Sequence, residues 1–277
     1  MRDGLDGDLV QPATSESVSG VPSYATWTIR DIVVGAVLVL VLFFLLGLLI
    51  VLPFGAAFGE EAPETLTAQM LSVIVWDAAI VFVLYRLALR SRGAWWRLGL
   101  RAPSYSPVDA YGASRRLIQS LTSLRLPRLV LAVVTGYAAS IFLVNSYGII
   151  VEVFGIDALQ PDQQVPKGYF DHDWLVPLIG VAVVLAAPIA EELFFRGFLY
   201  AGLRRRLSVL PSALISGGLF SLAHIDPGLV IPFTMVGMVL AYTYERTGTI
   251  YAPIAIHLVF NLFSFLVLVF APESRGS

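Results

Sequence analysis

The sequence predicts an all-α polytopic membrane helix bundle of about seven transmembrane helices plus one cytoplasmic interfacial helix. Hydrophobic residues make up 57% of the 277 positions, charged residues only 14%, and the mean hydropathy is +0.78. Soluble domains average about 25% charged residues. The chain has no cysteine, which excludes disulfides and thiolate chemistry, and its net charge of −2 gives no reason to expect a nucleic-acid partner.

One membrane domain is expected over residues 26–271, because no linker of the soluble, multi-domain kind interrupts the apolar pattern. Residues 1–25 are polar and acidic and are expected to form a disordered cytoplasmic tail, and residues 272–277 a short C-terminal stub. A helix needs roughly 20 apolar residues to cross the hydrocarbon of a bilayer. The segments that qualify or come close are Ile32–Leu52, Leu66–Tyr85, Leu129–Ile150, Leu175–Tyr200, Val209–His224, Leu229–Tyr244 and Tyr251–Phe270.

The charges of the connecting segments predict an orientation. The first loop is acidic, whereas the second is rich in arginine from Arg90 to Arg125, and this alternation continues along the chain. Because basic loops stay in the cytoplasm, the N-terminus is expected to be cytoplasmic. The protein is expected to lie in the plasma membrane. Within the basic loop, Ser106-Pro107-Val108-Asp109 is a good helix start and is followed by the predicted interfacial helix.

Three charged residues stand at the end of the fourth apolar segment, in the stretch Ala187–Arg196. Charges at membrane depth are costly unless they find partners, so they mark functional sites. Glu192 and Arg196 are four residues apart, and we expect an ion pair that orients the helix. Glu191 points about 100° away from Glu192 and is therefore free to transfer a proton.

Two histidines fall within apolar segments and can complete a reaction site. His257 and Asn261 are four residues apart, and their side chains suit an oxyanion hole. Phe220 precedes His224 by four residues and can orient its imidazole. The predicted chemistry is hydrolysis, in which Glu191 and His224 deprotonate a water that attacks a peptide carbonyl while His257 and Asn261 stabilise the oxyanion.

These residues form three motifs in order: E-E-x-x-x-R at 191–196, F-x-x-x-H at 220–224 and H-x-x-x-N at 257–261. The pattern resembles the CPBP family of intramembrane proteases, which includes type II CAAX prenyl endopeptidases and bacteriocin-processing or immunity proteins. The resemblance covers about Leu175 to Phe270. It implies a glutamate-activated water, the same catalytic roles for Glu191, His224, His257 and Asn261, and a peptide or membrane-tethered protein as substrate.

Three alternatives stay open. No cofactor is expected, but a zinc ion could bind Glu191, His224 and His257 with a water as the fourth ligand. The metal-free mechanism is preferred because the sequence lacks an H-E-x-x-H pair and zinc would leave Asn261 without a role. Intramembrane glutamates also occur in proton- or cation-coupled transporters, and an immunity-type scaffold could retain the fold without activity. The sequence leaves the oligomeric state and the natural substrate open.

Overall fold

The computed structural model describes residues 27–90, 98–100, 125–161 and 167–270. Within these ranges the chain forms seven apolar helices of more than ten residues, joined by turns and short 3₁₀ segments, with no strand. The helices are α1 (Ile29–Phe58), α2 (Pro63–Arg90), α3 (Arg125–Phe154), α4 (Leu175–Leu203), α5 (Val209–Leu222), α6 (Val230–Thr247) and α7 (Tyr251–Phe270).

Six of the described helices are long and apolar enough to cross a membrane, and α5, with 14 residues, is shorter. The predicted all-α polytopic bundle is therefore confirmed. The predicted interfacial helix after Ser106, the N-terminal tail over residues 1–25 and the stub over 272–277 lie outside the described residues. The division into domains, the cytoplasmic N-terminus and the plasma-membrane location stay predictions.

The first helix is longer at both ends than the apolar pattern predicted. It starts after Thr28, whose side chain forms a capping box with Asp31, and it continues through Pro53 to Phe58. The turn before Pro53 is a wide one in which the N–H of Leu52 bonds to the carbonyl of Gly47, five residues earlier. A proline, which has no N–H, costs less where the helical register is already disturbed.

The interior of the bundle lies along α4 and α6. Helix α4 contacts α2, α5, α6 and α7, while α6 contacts α3, α5 and α7. Helix α1 packs on α2 and leaves a row of large apolar side chains exposed, including Val33, Phe44 and Leu49. An outer surface of this kind suits hydrocarbon rather than water, since lipid tails are as apolar as these side chains.

Helices α5 and α6 touch along their backbones at two glycines. A Cβ placed on Gly217 would lie 2.6 Å from the carbonyl oxygen of Thr234, and one placed on Gly237 would lie 2.6 Å from the Cα of Gly217. Small residues are the usual means by which helices approach this closely in membranes. The contact also leaves the Gly237 carbonyl open to a side chain from α4, which matters for the site.

Helix α4 is not a regular α-helix, because it contains two π segments, Gly180–Ala186 and Leu193–Tyr200. The N–H of Ala187 bonds to the carbonyl of Ala182, five residues earlier. In that register the Val183 carbonyl would accept from residue 188, but Pro188 has no N–H. The α4 backbone therefore presents an unpaired carbonyl at Val183 to a neighbouring helix. Such π turns are frequent at functional sites.

Candidate active site

The site is built around a buried carboxylate on α4. Oε1 of Glu192 lies 2.6 Å from Nη1 of Arg196, one helical turn later, and both side chains are fully buried. The same oxygen lies 2.9 Å from Nδ1 of His257 on α7. The ion pair expected from the four-residue spacing is thus present, and it has an additional partner that the spacing could not show. Because a carboxylate accepts, Nδ1 of His257 is the donor.

Glu191 occupies a different environment from its neighbour. Its side chain is 18% exposed, against 0% for Glu192, and its Oε2 lies 3.8 Å from Nε2 of His257. That separation is too long for a direct hydrogen bond between the two side chains. His257 therefore stands between the two carboxylates, bonded to one and facing the other.

Arg196 is held by more than its ion pair. Its Nη2 donates to the carbonyl of Gly237 at 3.2 Å, which the close α5–α6 contact places within reach. Its guanidinium carbon lies 4.5 Å from the centre of the Phe220 ring, a cation–π contact in a buried setting. Arg196 therefore connects α4 to both α5 and α6.

Phe220 is the common neighbour of the two histidines. Its ring centre lies 4.9 Å from that of His224 and 5.6 Å from that of His257, edge to face in both cases. Nδ1 of His224 lies 2.9 Å from the carbonyl oxygen of Phe220. Since a carbonyl only accepts, Nδ1 carries the proton, and a neutral His224 has its lone pair on Nε2.

The predicted pairing of Glu191 with His224 is not a direct contact. Among the described residues no hydrogen bond or ion pair joins them, and the imidazole that faces Glu191 is His257. The physical reason is that α7 packs directly against the Ala187–Glu192 turn of α4. His224 instead lies two residues past the end of α5 and joins the site through Phe220 and a shared cavity.

Asn261 is one turn after His257 on α7, and its amide nitrogen donates to the Val183 carbonyl at 2.8 Å. It thereby satisfies the α4 carbonyl that Pro188 leaves without a partner. An amide carries two N–H donors, so one remains for another acceptor. The oxyanion role predicted for Asn261 can involve only that second donor.

A cavity of ≈ 30 Å³ connects the histidines and the asparagine. His224, His257 and Asn261 line its polar side, and the remaining lining includes Ser140 and the rings of Phe220 and Phe233. A volume of this size holds a water, which needs at least about 10–15 Å³. The cavity therefore brings together three of the four predicted catalytic residues, and Glu191 adjoins them through His257.

No group of three or more His, Asp or Glu side chains arranged to hold a metal ion occurs among the described residues. Of the three residues proposed as zinc ligands, His257 has Nδ1 engaged by Glu192 and His224 has Nδ1 engaged by Phe220. Only the Nε2 atoms of the two histidines and the Glu191 carboxylate remain available as metal ligands.

Asp77 on α2 is a buried carboxylate outside the three motifs. It is 2% exposed, and neither of its oxygens has a hydrogen-bond partner within the part of the chain that the structure describes. Asn145, a polar residue on α3, is exposed and bonds within its own helix to the Ile141 carbonyl.

A second buried charge cluster, which motif reasoning missed, lies at the ends of α4 and α6. Glu245 accepts two hydrogen bonds from Arg204, at 3.0 and 2.9 Å, and a third from the hydroxyl of Tyr200 at 2.9 Å. The hydrogen bond to Glu245 raises the pKa of Arg204 above its usual value. A lone carboxylate in the last turn of an apolar helix was the available signal for this cluster.

Comparisons with known proteins match the part of the chain in which these residues lie. A family model described as Rce1-like, type II CAAX prenyl endopeptidase, matches residues 173–263, which include all the predicted site residues. A curated relative from Bacillus subtilis (strain 168), named "Putative membrane peptidase YdiL", is 29% identical over 135 residues, 48% of this chain and 54% of the relative. The chain thus spans about half the length of that relative. No solved structure matches it significantly.

These findings confirm the resemblance to the CPBP family that the three motifs indicated. The family model covers α4, α5, α6 and most of α7, the helices that carry the predicted site residues. The first three helices lie before the residues that the family model matches, and α3 contributes Ser140 to the cavity.

Proposed function

We propose that this chain is an intramembrane endopeptidase that hydrolyses peptide bonds with a water activated by Glu191. The observation that carries the proposal is the arrangement of two adjacent glutamates about one imidazole. Glu192 is fully buried and bonded to Arg196 and His257. Glu191 is partly exposed, and its Oε2 faces Nε2 of His257 at 3.8 Å. One carboxylate fixes the geometry, and the other is available for proton transfer.

The reaction requires only this chain's residues and water. Glu191 accepts a proton from the water, whose oxygen forms a bond to the carbonyl carbon of the scissile peptide. When the tetrahedral intermediate collapses, the carbon–nitrogen bond breaks and Glu191 returns the proton to the leaving amine. The products are a new carboxyl terminus and a new amino terminus.

The remaining polar groups of the cavity have complementary roles in the proposal. His224, whose neutral form carries its lone pair on Nε2, assists Glu191 in holding the water. The second N–H of Asn261 is a donor for the developing oxyanion. His257 donates from Nε2 only when doubly protonated, and in that state the charges of Glu191, Glu192, Arg196 and His257 sum to zero.

The substrate class follows from where the site lies. The cavity lies among residues from α3, α6, α7 and the end of α5, all apolar helices, and in the proposal a substrate reaches it from within the bilayer. A peptide or a membrane-tethered protein fits this requirement. The family model is described by its CAAX prenyl endopeptidase activity, and prenylated C-terminal peptides are therefore one class to be tested.

The test uses the full chain in lipid vesicles with a library of membrane-tethered peptides in ¹⁸O-labelled water. Mass spectrometry is expected to show cleaved products with the label in the new carboxyl terminus. Glu191→Gln should lower the rate by about 100-fold or more, the usual contribution of a general base. The matched control is Glu152→Gln, which changes an exposed glutamate on α3 and should have no effect. Absence of cleavage by the wild type would support a silent scaffold.

Two further measurements separate the remaining alternatives. Strong chelation should leave the cleavage rate unchanged, and a loss that added zinc restores would establish a metal-dependent mechanism. Proton or sodium flux into vesicles should not depend on Glu191, and flux that Glu191→Gln abolishes would establish a transporter.

A further inference from the structure

A large groove outside the candidate active site lies between α3, α5 and α6. Its volume is ≈ 1230 Å³, against roughly 300–1,000 Å³ for ordinary small-molecule pockets. Arg128 from the first turn of α3 and Arg246 from the last turn of α6 both line it. It is called here the Arg128–Arg246 groove.

The groove lies beside the first turns of α5, which is a short helix. Its 14 residues extend about 21 Å, while the hydrocarbon core is about 30 Å thick. Helix α5 begins at Val209, which lines the groove. A helix long enough to cross the membrane would extend beyond this residue. The groove is open at the outer surface of the bundle, because its lining includes the exposed side chains of Leu131, Leu210 and Tyr242.

The groove has a charged end and an apolar body. Arg128 and Arg246 are exposed, and within the described residues neither forms an ion pair. The guanidinium of Arg246 lies 6.0 Å from the centre of the Tyr242 ring, which also lines the groove. The walls below them are apolar or small, including Ala132, Ala139 and Met238. The complementary ligand therefore has an anionic head and long apolar chains.

We propose that the Arg128–Arg246 groove is a binding site for an anionic phospholipid of the surrounding bilayer. The two guanidinium groups bind the phosphate of the lipid, and its acyl chains fill the apolar part of the groove beside α5. Basic pockets between transmembrane helices are known to select anionic headgroups in this way. The site is separate from the catalytic cavity, and its existence does not depend on the proposed peptidase activity.

The experiment measures headgroup preference directly. The purified full chain is titrated with phosphatidylglycerol or phosphatidylcholine of identical acyl chains, and bound lipid is counted by native mass spectrometry. The wild type should prefer phosphatidylglycerol. Arg128→Gln with Arg246→Gln should reduce phosphatidylglycerol affinity by about 30-fold, since each basic residue near the surface contributes about 1 kcal/mol.

The matched control is Arg30→Gln with Arg86→Gln, which removes the same charge from two exposed arginines on α1 and α2. This control should keep the preference. Ala132→Phe, which fills the groove without changing charge, should weaken binding of both lipids. Equal affinity of the wild type for both headgroups, or an equal loss in the control, would overturn the proposal. Unchanged lipid binding by Ala132→Phe would also overturn the proposal, because the groove would then not be the place where the lipid binds.

Discussion

Oε1 of Glu192 and Nδ1 of His257 lie 2.9 Å apart, although 65 positions separate the two residues in the sequence. The same oxygen accepts a hydrogen bond from Arg196 at 2.6 Å. One buried carboxylate oxygen therefore connects α4 to α7 and fixes which ring nitrogen of His257 faces the partly exposed Glu191. This contact divides the two glutamates into one that holds the site and one that can react.

Glu192→Gln is expected to destabilise the protein by about 3–5 kcal/mol, because it leaves the Arg196 guanidinium buried without its counter-charge. The measurement is the free energy of unfolding in detergent. Glu152→Gln, on the exposed side of α3, serves as the control and should change the free energy little. Equal stabilities of the two variants would contradict the role assigned to the buried pair.

Asn261→Ala is expected to cost about 1–3 kcal/mol, since the Val183 carbonyl loses its donor. Pro188→Ala restores an N–H that can bond to that carbonyl, so Asn261→Ala should cost less in the Pro188→Ala background. A double-mutant cycle of unfolding free energies measures this coupling. Asn145→Ala, which removes an exposed amide bonded within its own helix, is the matched control. Strict additivity of Pro188→Ala and Asn261→Ala would show that the carbonyl does not depend on Asn261.

The adjacent glycines of α5 are expected to respond in opposite directions. A Cβ at position 217 meets the Thr234 carbonyl, so Gly217→Ala should separate α5 from α6 and cost about 1–3 kcal/mol. A Cβ at position 218 meets nothing within 4 Å, so Gly218→Ala should be neutral or stabilising by up to about 1 kcal/mol. Thermal unfolding of the two variants provides the comparison. Similar midpoints would indicate that the helices do not touch at Gly217.

Asp77→Asn is expected to stabilise the protein by about 1 kcal/mol or more, because it removes a buried carboxylate that has no hydrogen-bond partner among the described residues. The unfolding free energy is compared with that of Asp173→Asn, which changes an exposed carboxylate and should have little effect. Destabilisation by Asp77→Asn would mean that the carboxylate has a partner that supports the fold.

Helix periodicity was sufficient to predict the fold class and the contacts within one helix. Seven apolar segments became seven helices, and the four-residue spacing of Glu192 and Arg196 produced the ion pair. The predicted end of the first apolar segment at Leu52 is too early, since a wide turn before Pro53 allows the helix to continue to Phe58.

Contacts between helices could not be obtained from spacing. Whether His224 or His257 faces Glu191 depends on which helix packs against α4, and no periodicity records that. The hydrogen bond of Asn261 on α7 depends on a π turn and on Pro188, which both belong to α4. The spacing of residues within α7 does not indicate either feature. Glu245 was missed because its partners, Arg204 and Tyr200, lie more than forty positions away.

The central claim is that Glu191 carries out the chemistry while Glu192 maintains the site. The most direct test measures peptide cleavage and unfolding free energy for Glu191→Gln on the same preparation. We predict a cleavage rate at least about 100-fold below that of the wild type, with a stability close to the wild-type value. Cleavage at the wild-type rate by Glu191→Gln, in a protein that remains folded, would contradict the account.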